Sequence, residues 1–249
     1  MNTNTLTLFI ALGLASTSVI AQEEEPKPFT LDGEFGFIAT TGNTDTTSIS
    51  FGLNATQELE RWSNVYLVEG LYSEDTTRNE AGEDVTNTTA QRVFGSAQAN
   101  YKLENPNHRL FGFASYEDNR LSNFEYQATI AAGWNQLLWE NDTSSFDYSI
   151  GPGYTFSEDI NGESLDGFVV RAAADYNWNI SETSQFTQTF STEIGDENTR
   201  TRSETALTAQ LFGGLALRVS LLLNHNTEAS EDRDKLDTET AVTLVYSFF

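Results

Sequence analysis

The chain has 249 residues, which is enough for one large domain. Its formal net charge is −24 at pH 7, so it lacks the basic surface that binding to nucleic acid requires. It contains no cysteine, which excludes disulfide frameworks and thiolate metal sites. After residue 21 no stretch is apolar for as long as a transmembrane helix needs, so a helical membrane protein is excluded as well.

A secretory signal peptide is predicted at residues 1–21. Leu6–Leu14 is an apolar run, and Val19–Ala21 ends in a small residue that suits cleavage before Gln22. The first five residues carry no lysine or arginine, which departs from the usual pattern, so a short membrane anchor is the alternative. Residues 22–29 are acidic and contain two prolines, and we interpret them as a flexible lead-in to the domain.

Twelve stretches between residue 30 and the end of the chain alternate apolar and polar residues with a period of two. The clearest is Phe146–Phe156, in which aromatic, Ile and Pro residues occupy one parity and Asp, Ser, Gly and Thr the other. Successive side chains of a strand point to opposite faces, and about 10 residues with one apolar face can cross a bilayer as a tilted strand. The pattern therefore predicts an all-β fold, a single antiparallel, up-and-down transmembrane β-barrel of about 12 strands over residues 30–249.

The connections between the predicted strands alternate between short and mostly longer ones. Arg61–Asn64 and Glu104–His108 belong to the short set, whereas Glu74–Thr88 and Ser157–Asp166 belong to the longer, more acidic set. Outer-membrane barrels have short periplasmic turns and longer outside loops. An even number of strands then places both ends of the domain on the periplasmic side.

The two parities of the predicted strands differ in charge. In the clearly alternating strands the outward parity carries no Asp, Glu, Lys or Arg, as a lipid-facing surface requires, because a charge there costs about 2–4 kcal/mol at mid-bilayer. Two strands resist this assignment: Arg109–Asp118 has aromatic residues on both parities, and Leu221–Leu223 does not alternate. Charges occupy the other parity, and the residues predicted to line the lumen include Glu69, Arg92, Lys102, Glu125, Asp147, Arg171, Asp175 and Glu193.

Three of the four tryptophans, Trp62, Trp139 and Trp178, lie beside predicted periplasmic turns. Tryptophan prefers the membrane–water interface, so these residues are predicted to form an aromatic girdle. The alternative is a secreted β-sandwich whose core they would close. Sandwich strands run about 5–6 residues, which is shorter than the stretches seen here, so the lengths favour the barrel.

Several segments resemble the family of salt-induced outer-membrane proteins, a domain family without an assigned activity. The resemblance covers about residue 30 to the end, and its most specific piece is the TGNT turn within Phe37–Ser50. Other matching segments are Glu58–Asn64, Glu69–Asp75, Phe111–Asp118, Gly151–Tyr154, Tyr176–Ile180 and the closing VYSF. The resemblance implies an outer-membrane β-barrel with a loose link to salt or osmotic response, and it supplies no catalytic residue.

Enzymatic chemistry is not indicated by the residues. A serine or threonine nucleophile needs a base, normally histidine, and the chain has only His108 and His225. His108 lies in a predicted polar turn. His225 is close in sequence to Ser220 and Ser230 and is the candidate base of a barrel-embedded hydrolase acting on lipid or peptide, but no third triad member is evident. We therefore predict no catalytic residue and no cofactor.

The acidic outer segments are candidates for binding cations or other ligands. Asp159–Asp166 superficially resembles a calcium loop, but it lacks the EF-hand pattern with Gly at its sixth position. A charged, solvated surface is the simpler interpretation, and no metal site is predicted. Weak divalent-cation bridging to lipopolysaccharide and a role as an adhesin or receptor are the alternatives.

The sequence favours the function of a non-enzymatic outer-membrane protein of a Gram-negative cell. A lumen of about 12 strands is intermediate between filled and wide-channel barrels, so a narrow or partly occluded pore is expected, with cation preference from its acidic excess. The other hypothesis for a non-enzymatic outer-membrane protein is an envelope element that responds to salt. The predicted partners are outer-membrane lipid, lipopolysaccharide and the barrel-assembly machinery, the last because Leu244–Phe249 forms a closing strand with a terminal aromatic residue.

Overall fold

The computed structural model describes residues 28–40, 44–78, 83–120, 124–228 and 234–248. The predicted signal peptide, nearly all of the predicted lead-in and the centre of the TGNT turn lie outside the described residues. The described residues form twelve strands: β1 (Phe29–Thr40), β2 (Thr44–Glu58), β3 (Trp62–Arg78), β4 (Asp84–Lys102), β5 (His108–Asn119), β6 (Phe124–Glu140), β7 (Ser144–Asp159), β8 (Gly167–Ser181), β9 (Ser184–Gly195), β10 (Thr199–Phe212), β11 (Leu215–Asn226) and β12 (Leu236–Ser247).

The strands close into one antiparallel barrel in which each strand pairs with its neighbours in the chain. Closure is made by β1 and β12, which pair from Asp32 opposite Ser247 to Phe35 opposite Leu244. A closed barrel satisfies backbone hydrogen bonds without leaving an exposed sheet edge, which is what a strand protein needs in lipid. The predicted twelve-stranded up-and-down barrel is confirmed. No helix among the described residues combines the length and the apolar character needed to cross a membrane.

One outer connection is shorter than the sequence predicts. The expected loop Glu74–Thr88 is largely a continuation of β3 and β4, which remain paired as far as Arg78 opposite Asp84. A register shift between Ser73 and Glu74 accommodates an extra residue, and the hydroxyl groups of Thr76 and Thr86 lie 2.7 Å apart across the ribbon. Threonine is β-branched and favours extended backbone, so this polar segment continues as a hairpin where its acidic composition suggested a loop.

The outward parity of the barrel is apolar and exposed. Phe35, Ile130, Ile194 and Leu211 each expose more than half of their surface, as a lipid-facing wall requires. The two ambiguous strands are resolved by burial. In β5 the aromatic Tyr116 faces outward and the inward Phe111 is only 3% exposed; in β11 Leu222 faces inward between two outward leucines.

Polar side chains interrupt this apolar wall on β9 and β10. Gln188 donates a hydrogen bond to Ser203 Oγ at 3.1 Å, and Thr205 donates one to the Gln188 side chain at 2.5 Å. These groups satisfy one another within the plane of the wall. That pairing reduces the cost of placing an amide and two hydroxyl groups on a face that meets hydrocarbon.

The segment Gly151–Tyr154, with the sequence GPGY, marks a close approach of β6 and β7. Pro152 has no N–H, and the ladder between Ala131–Gly153 and Trp134–Ile150 is interrupted beside it. A Cβ atom at Gly133 would lie 2.3 Å from the Ile150 carbonyl oxygen, and one at Gly151 would lie 2.1 Å from the Ala132 carbonyl oxygen. Both positions therefore require glycine because the facing backbones leave no room for a side chain.

The barrel lumen as candidate functional site

The lumen is identified by contacts between strands that are not neighbours in the sheet. Arg92 on β4 binds Glu239 on β12, although β1, β2 and β3 lie between these strands. Arg200 on β10 binds Glu117 on β5 at 2.6 Å, across the width of β6 to β9. Side chains of distant strands can meet only inside a closed barrel, so the inward parity is fixed by these pairs.

A chain of alternating charges crosses the lumen at mid-height. Arg92 lies 3.2 Å from Glu69 and 2.9 Å from Glu239, and Arg202 lies 2.6 Å from the same Glu69 oxygen. We name this group the ion-pair network; in order its members are Glu239, Arg92, Glu69, Arg202, Glu204, Arg218 and Glu34. Glu69 and Glu204 each lie between two guanidinium groups, so their charges are neutralised from both sides. Charges that are largely removed from water need partners of this kind.

The second end of the network is held by Arg218. Its Nη1 lies 2.9 Å from Glu34 Oε1, its Nη2 binds Glu204 Oε1, and Thr243 donates a further hydrogen bond to Glu34 at 3.3 Å. Glu204 in turn lies 3.9 Å from Arg202. Strands from both sides of the barrel closure are thus tied together through side chains rather than through the backbone ladder alone.

Inward phenylalanines fix two of the arginines. The Arg202 guanidinium carbon lies 4.5 Å from the centre of the Phe94 ring, and the Arg171 carbon lies 3.6 Å from the centre of the Phe113 ring. A guanidinium group over an aromatic face gains cation–π attraction and loses side-chain freedom. The phenylalanines also occupy lumen volume on β4 and β5, so this side of the barrel is packed rather than open.

A second, outer set of contacts fills the lumen above the packed side. Arg171 lies 3.8 Å from Glu193, and Thr129 donates a hydrogen bond to the same carboxylate at 2.9 Å. Arg200 and Glu117 pair directly beside them. The two arginines and the two glutamates of this outer set are all buried, as is Thr129. Each buried charge therefore depends on its partner.

Cavities lie between these contacts in the part of the chain that the structure describes. One of about 220 Å³ is lined by the ion-pair network together with Asn54, Asn177 and Thr189. A second, of about 290 Å³, shares Ser50, Glu239 and Ala241 with it and extends toward the outer end. A third, of about 320 Å³, lies at the outer end of β7 to β10 and is lined by Glu193, Arg200 and loop carboxylates. The lumen is therefore a set of small polar spaces rather than a wide channel.

One pair of inward carboxylates, Asp147 and Asp175, forms no ion pair with the arginines of the ion-pair network, and we name it the aspartate pair. Asp147 on β7 and Asp175 on β8 are directly opposite each other in the ladder. Asn135 on β6 donates a hydrogen bond to Asp147 at 2.9 Å. Within the described residues, no group of three or more His, Cys, Asp and Glu side chains is arranged to hold a metal ion.

A family model described as a protein of unknown function, DUF481, matches residues 33–248. The chain belongs to this family. The uncharacterized protein YdiY of Escherichia coli (strain K12) is 24% identical over 246 residues, which cover 96% of this chain and 93% of YdiY. The COG4313 outer membrane channel from Pseudomonas putida F1 superposes with a TM-score of 0.50 at 11% identity, covering 91% of this chain and 97% of that one.

These findings agree with the family resemblance seen in the sequence, which is confirmed. The solved channel is too distant in sequence to show more than a common fold, and that fold is the outer-membrane β-barrel. Together with the apolar outward face, it confirms the predicted location in the outer membrane. The DUF481 family carries no assigned activity, so function has to be argued from the lumen itself.

Most residues predicted to line the lumen lie within the contacts described above. Glu69 and Arg92 belong to the ion-pair network, Arg171 and Glu193 to the outer set, and Asp147 and Asp175 form their own pair. The two others lie elsewhere. Lys102 is at the short-turn end, where it binds Glu58 and the Leu59 carbonyl oxygen. Glu125 is exposed at the register shift between Phe124 and Tyr126.

Four central residues were not among the predicted lumen residues: Arg200, Arg202, Arg218 and Glu117. The sequence interpretation began β10 at Glu204 and assigned Arg200 and Arg202 to an acidic loop, whereas β10 begins at Thr199. The sequence does contain a signal that this segment is a strand. Both arginines share the parity of Glu204, and threonine residues alternate with them. Arg218 also shares that parity with Ser220, at the beginning of β11.

The three tryptophans of the predicted girdle all lie at the short-turn end and each is 43% exposed on the outward face. Trp62 packs edge-on against Tyr101, with ring centres 5.1 Å apart, and Trp139 stacks on Phe146 at 5.0 Å. Trp178 is in register with Phe186 on the next strand. These rings form an aromatic surface at the short-turn end, as is typical of the level where lipid headgroups meet the hydrocarbon.

Among the described residues, His225 is not brought together with Ser220, and the acidic loop Asp159–Asp166 uses its oxygens within the loop. His225 faces outward and Ser220 inward on the same strand, so the two side chains lie on opposite sides of the wall; Ser230 lies outside the described residues. His108 packs against Trp134 at the short-turn end. In the outer loop, Asp159 accepts hydrogen bonds from the backbone N–H groups of Asn161 and Glu163, so its oxygens serve the loop's own fold.

Proposed function

We propose that this protein is a narrow, non-enzymatic diffusion pore of the outer membrane that prefers small cations. The observation that carries the proposal is the charge of the lumen. The ion-pair network, the outer set and the aspartate pair together contain eight carboxylates and five guanidinium groups, a net charge of −3 when all are ionised. Carboxylate-rich linings favour cations over anions in channels.

The contacts across the lumen support a narrow pathway. Glu69 is bound by arginines from β4 and β10, so the network crosses the lumen rather than lying flat against one wall. The cavities of about 220 and 290 Å³ beside the network are large enough for water and small ions but not for oligomers. Barrels with 16–18 strands leave a wide aqueous channel, and a twelve-stranded barrel crossed by paired side chains does not.

A link to salt or osmotic response belongs to this proposal only as an implication of the family resemblance. A pore that conducts the small ions of the salt would be the physical basis of such a link. Comparing the abundance of the protein in cells grown at low and high NaCl concentration tests this part separately, and an unchanged abundance would remove it without affecting the pore.

The pore is tested with purified full-length protein in planar bilayers under a KCl gradient. We expect discrete single-channel steps of small conductance and a reversal potential of the sign that marks preference for potassium over chloride. Chloride preference would contradict the charge argument. The absence of any conductance at all applied voltages would contradict the pore itself while leaving the fold in place.

A further inference from the structure

The aspartate pair, Asp147 and Asp175, is an energetically unfavourable arrangement as it stands. The two residues are direct cross-strand partners, so their Cβ atoms are about 5 Å apart and both side chains enter the lumen. Like charges in this position destabilise a sheet. Among the described residues no ion pair or hydrogen bond to Asp175 occurs, and Asp147 accepts its hydrogen bond from the neutral Asn135.

A third oxygen lies beside the pair on the adjoining strand. Asn135 is 1% exposed, and its Nδ2 is bound by Asp147 at 2.9 Å and by the Tyr148 carbonyl oxygen at 3.2 Å. The Oδ1 of the same amide is buried and accepts no hydrogen bond from any described residue. A buried amide oxygen without a donor is costly, and this one belongs to the side chain whose Nδ2 contacts Asp147.

The cationic groups of the neighbouring strands are engaged elsewhere. Arg171 on β8 stacks on Phe113 and lies 3.8 Å from Glu193. Arg109 on β5 donates from its Nε to the Pro106 carbonyl oxygen at 3.0 Å, which holds its stem toward the short turn. Neither forms an ion pair with the two aspartates within the 4.0 Å that defines one. Arg171 attracts Asp175 and Arg109 attracts Asp147 only over a longer distance, so part of the negative charge of the pair remains uncompensated by the described residues.

We propose that Asp147, Asp175 and Asn135 form a binding site for one divalent cation of the calcium and magnesium class. Two carboxylates and an amide oxygen are hard donors of the kind these cations require, and water can complete the coordination sphere from the lumen. A bound cation would offset the repulsion between the aspartates and would give the Asn135 oxygen a partner. The site does not depend on whether the barrel conducts.

The position of the site determines where its cation comes from. Asp147 lies three residues after the start of β7 at the short-turn end, at the level of Phe146 and Tyr176 in the aromatic surface. Both aspartates are partly exposed to the lumen. The site is therefore reached from the periplasmic opening, below the ion-pair network, by cations free in solution rather than by cations bound to lipopolysaccharide.

The site is tested by titrating CaCl₂ and MgCl₂ into full-length protein in detergent, free of lipopolysaccharide and first stripped with a chelator. Isothermal titration calorimetry of the wild type should show saturable binding of one cation. Asp175→Asn and Asp147→Asn should each weaken the affinity by about tenfold or more, since affinity follows the ligand charge. Asp142→Asn removes the same charge from an exposed turn at the same end and should leave the affinity unchanged.

Asn135→Leu tests the third ligand, because it keeps the side-chain size and removes the oxygen. It should also weaken binding, with the barrel's β circular dichroism retained; if it does not assemble, the two aspartate variants decide the matter. No saturable binding by the wild type up to about 10 mM cation would overturn the proposal. So would an equal loss of affinity in Asp175→Asn and Asp142→Asn, which would assign the binding to the acidic surface as a whole.

Discussion

The ion-pair network and the aspartate pair are two regions of one lumen that use the same kind of residue with opposite outcomes. In the network, Glu69 sits between Arg92 and Arg202, and Glu204 between Arg202 and Arg218. In the pair, Asp147 faces Asp175, and among the described residues Asp147 accepts a hydrogen bond only from the neutral amide of Asn135. The first region supplies its own counter-charges, whereas the second requires one from outside.

This difference shows that the neutralisation of a charge in a barrel lumen depends both on the length of the side chains and on the register of the strands. Half of the network's six ion pairs join strands that are not neighbours, which is possible because arginine is long enough to cross part of the lumen. Aspartate is short and stays beside its own wall. A short carboxylate therefore depends on the groups that lie beside it on the same wall, and the partner of Asp147 on β8 is a second aspartate.

The largest effect is expected from Glu69→Ala, which removes the carboxylate shared by two arginines. Two nearly buried guanidinium groups would lose a partner, and breaking a buried pair in this way costs about 3 kcal/mol of unfolding free energy. Urea unfolding in lipid vesicles, followed by tryptophan fluorescence, measures it. A loss no larger than that of an exposed carboxylate would mean that the network does not stabilise the barrel.

Removal of a carboxylate from the aspartate pair should have the opposite sign. In the presence of a chelator, Asp175→Asn relieves repulsion between direct cross-strand partners and should stabilise the barrel by about 1 kcal/mol. The same unfolding experiment gives the value, with Asp142→Asn as the matched change of charge. If Asp175→Asn destabilised the chelated protein, Asp175 would have a stabilising partner and the contrast between the two regions would fail.

The smallest effect is expected at the rim, where Lys102 binds Glu58 at the short-turn end. Glu58 is 45% exposed, so water and salt screen the interaction. Glu58→Gln should change the unfolding free energy by no more than about 0.5 kcal/mol. A loss comparable with that of Glu69→Ala would show that exposure does not separate the rim from the network.

The outward half of this molecule could be predicted from sequence because it obeys one local rule. Residues such as Phe35 and Ile130 alternate with polar neighbours, and hydrocarbon selects against charge on their side of every strand. The positions of Trp62, Trp139 and Trp178 followed from the same periodicity and the short turns. A period of two specifies which side of the wall a residue faces, and that is all it specifies.

The inward half could be predicted only in part, because its contacts join distant strands. Which arginine binds Glu69 depends on the closure of the whole barrel and on its register, neither of which appears in a local window. Arg202 was hidden in a segment that looked like an acidic loop, although β-strand pairing with Ser191 and Asn224 includes it in the barrel. Phe111 and Phe113 are inward phenylalanines that break the polar-inside rule, and Phe113 packs beneath Arg171, a contact that a sequence pattern does not reveal.

Single-channel conductance of Arg202→Gln against the wild type tests the central claim most directly, namely that paired charges narrow a cation-preferring lumen. The substitution removes the side chain that joins β10 to Glu69 across the lumen and adds net negative charge there. We predict a larger conductance with stronger preference for potassium over chloride, while Glu58→Gln behaves as the wild type. Equal conductance and selectivity in all three proteins would contradict the claim, because the ion-pair network would then lie outside the path of the ions.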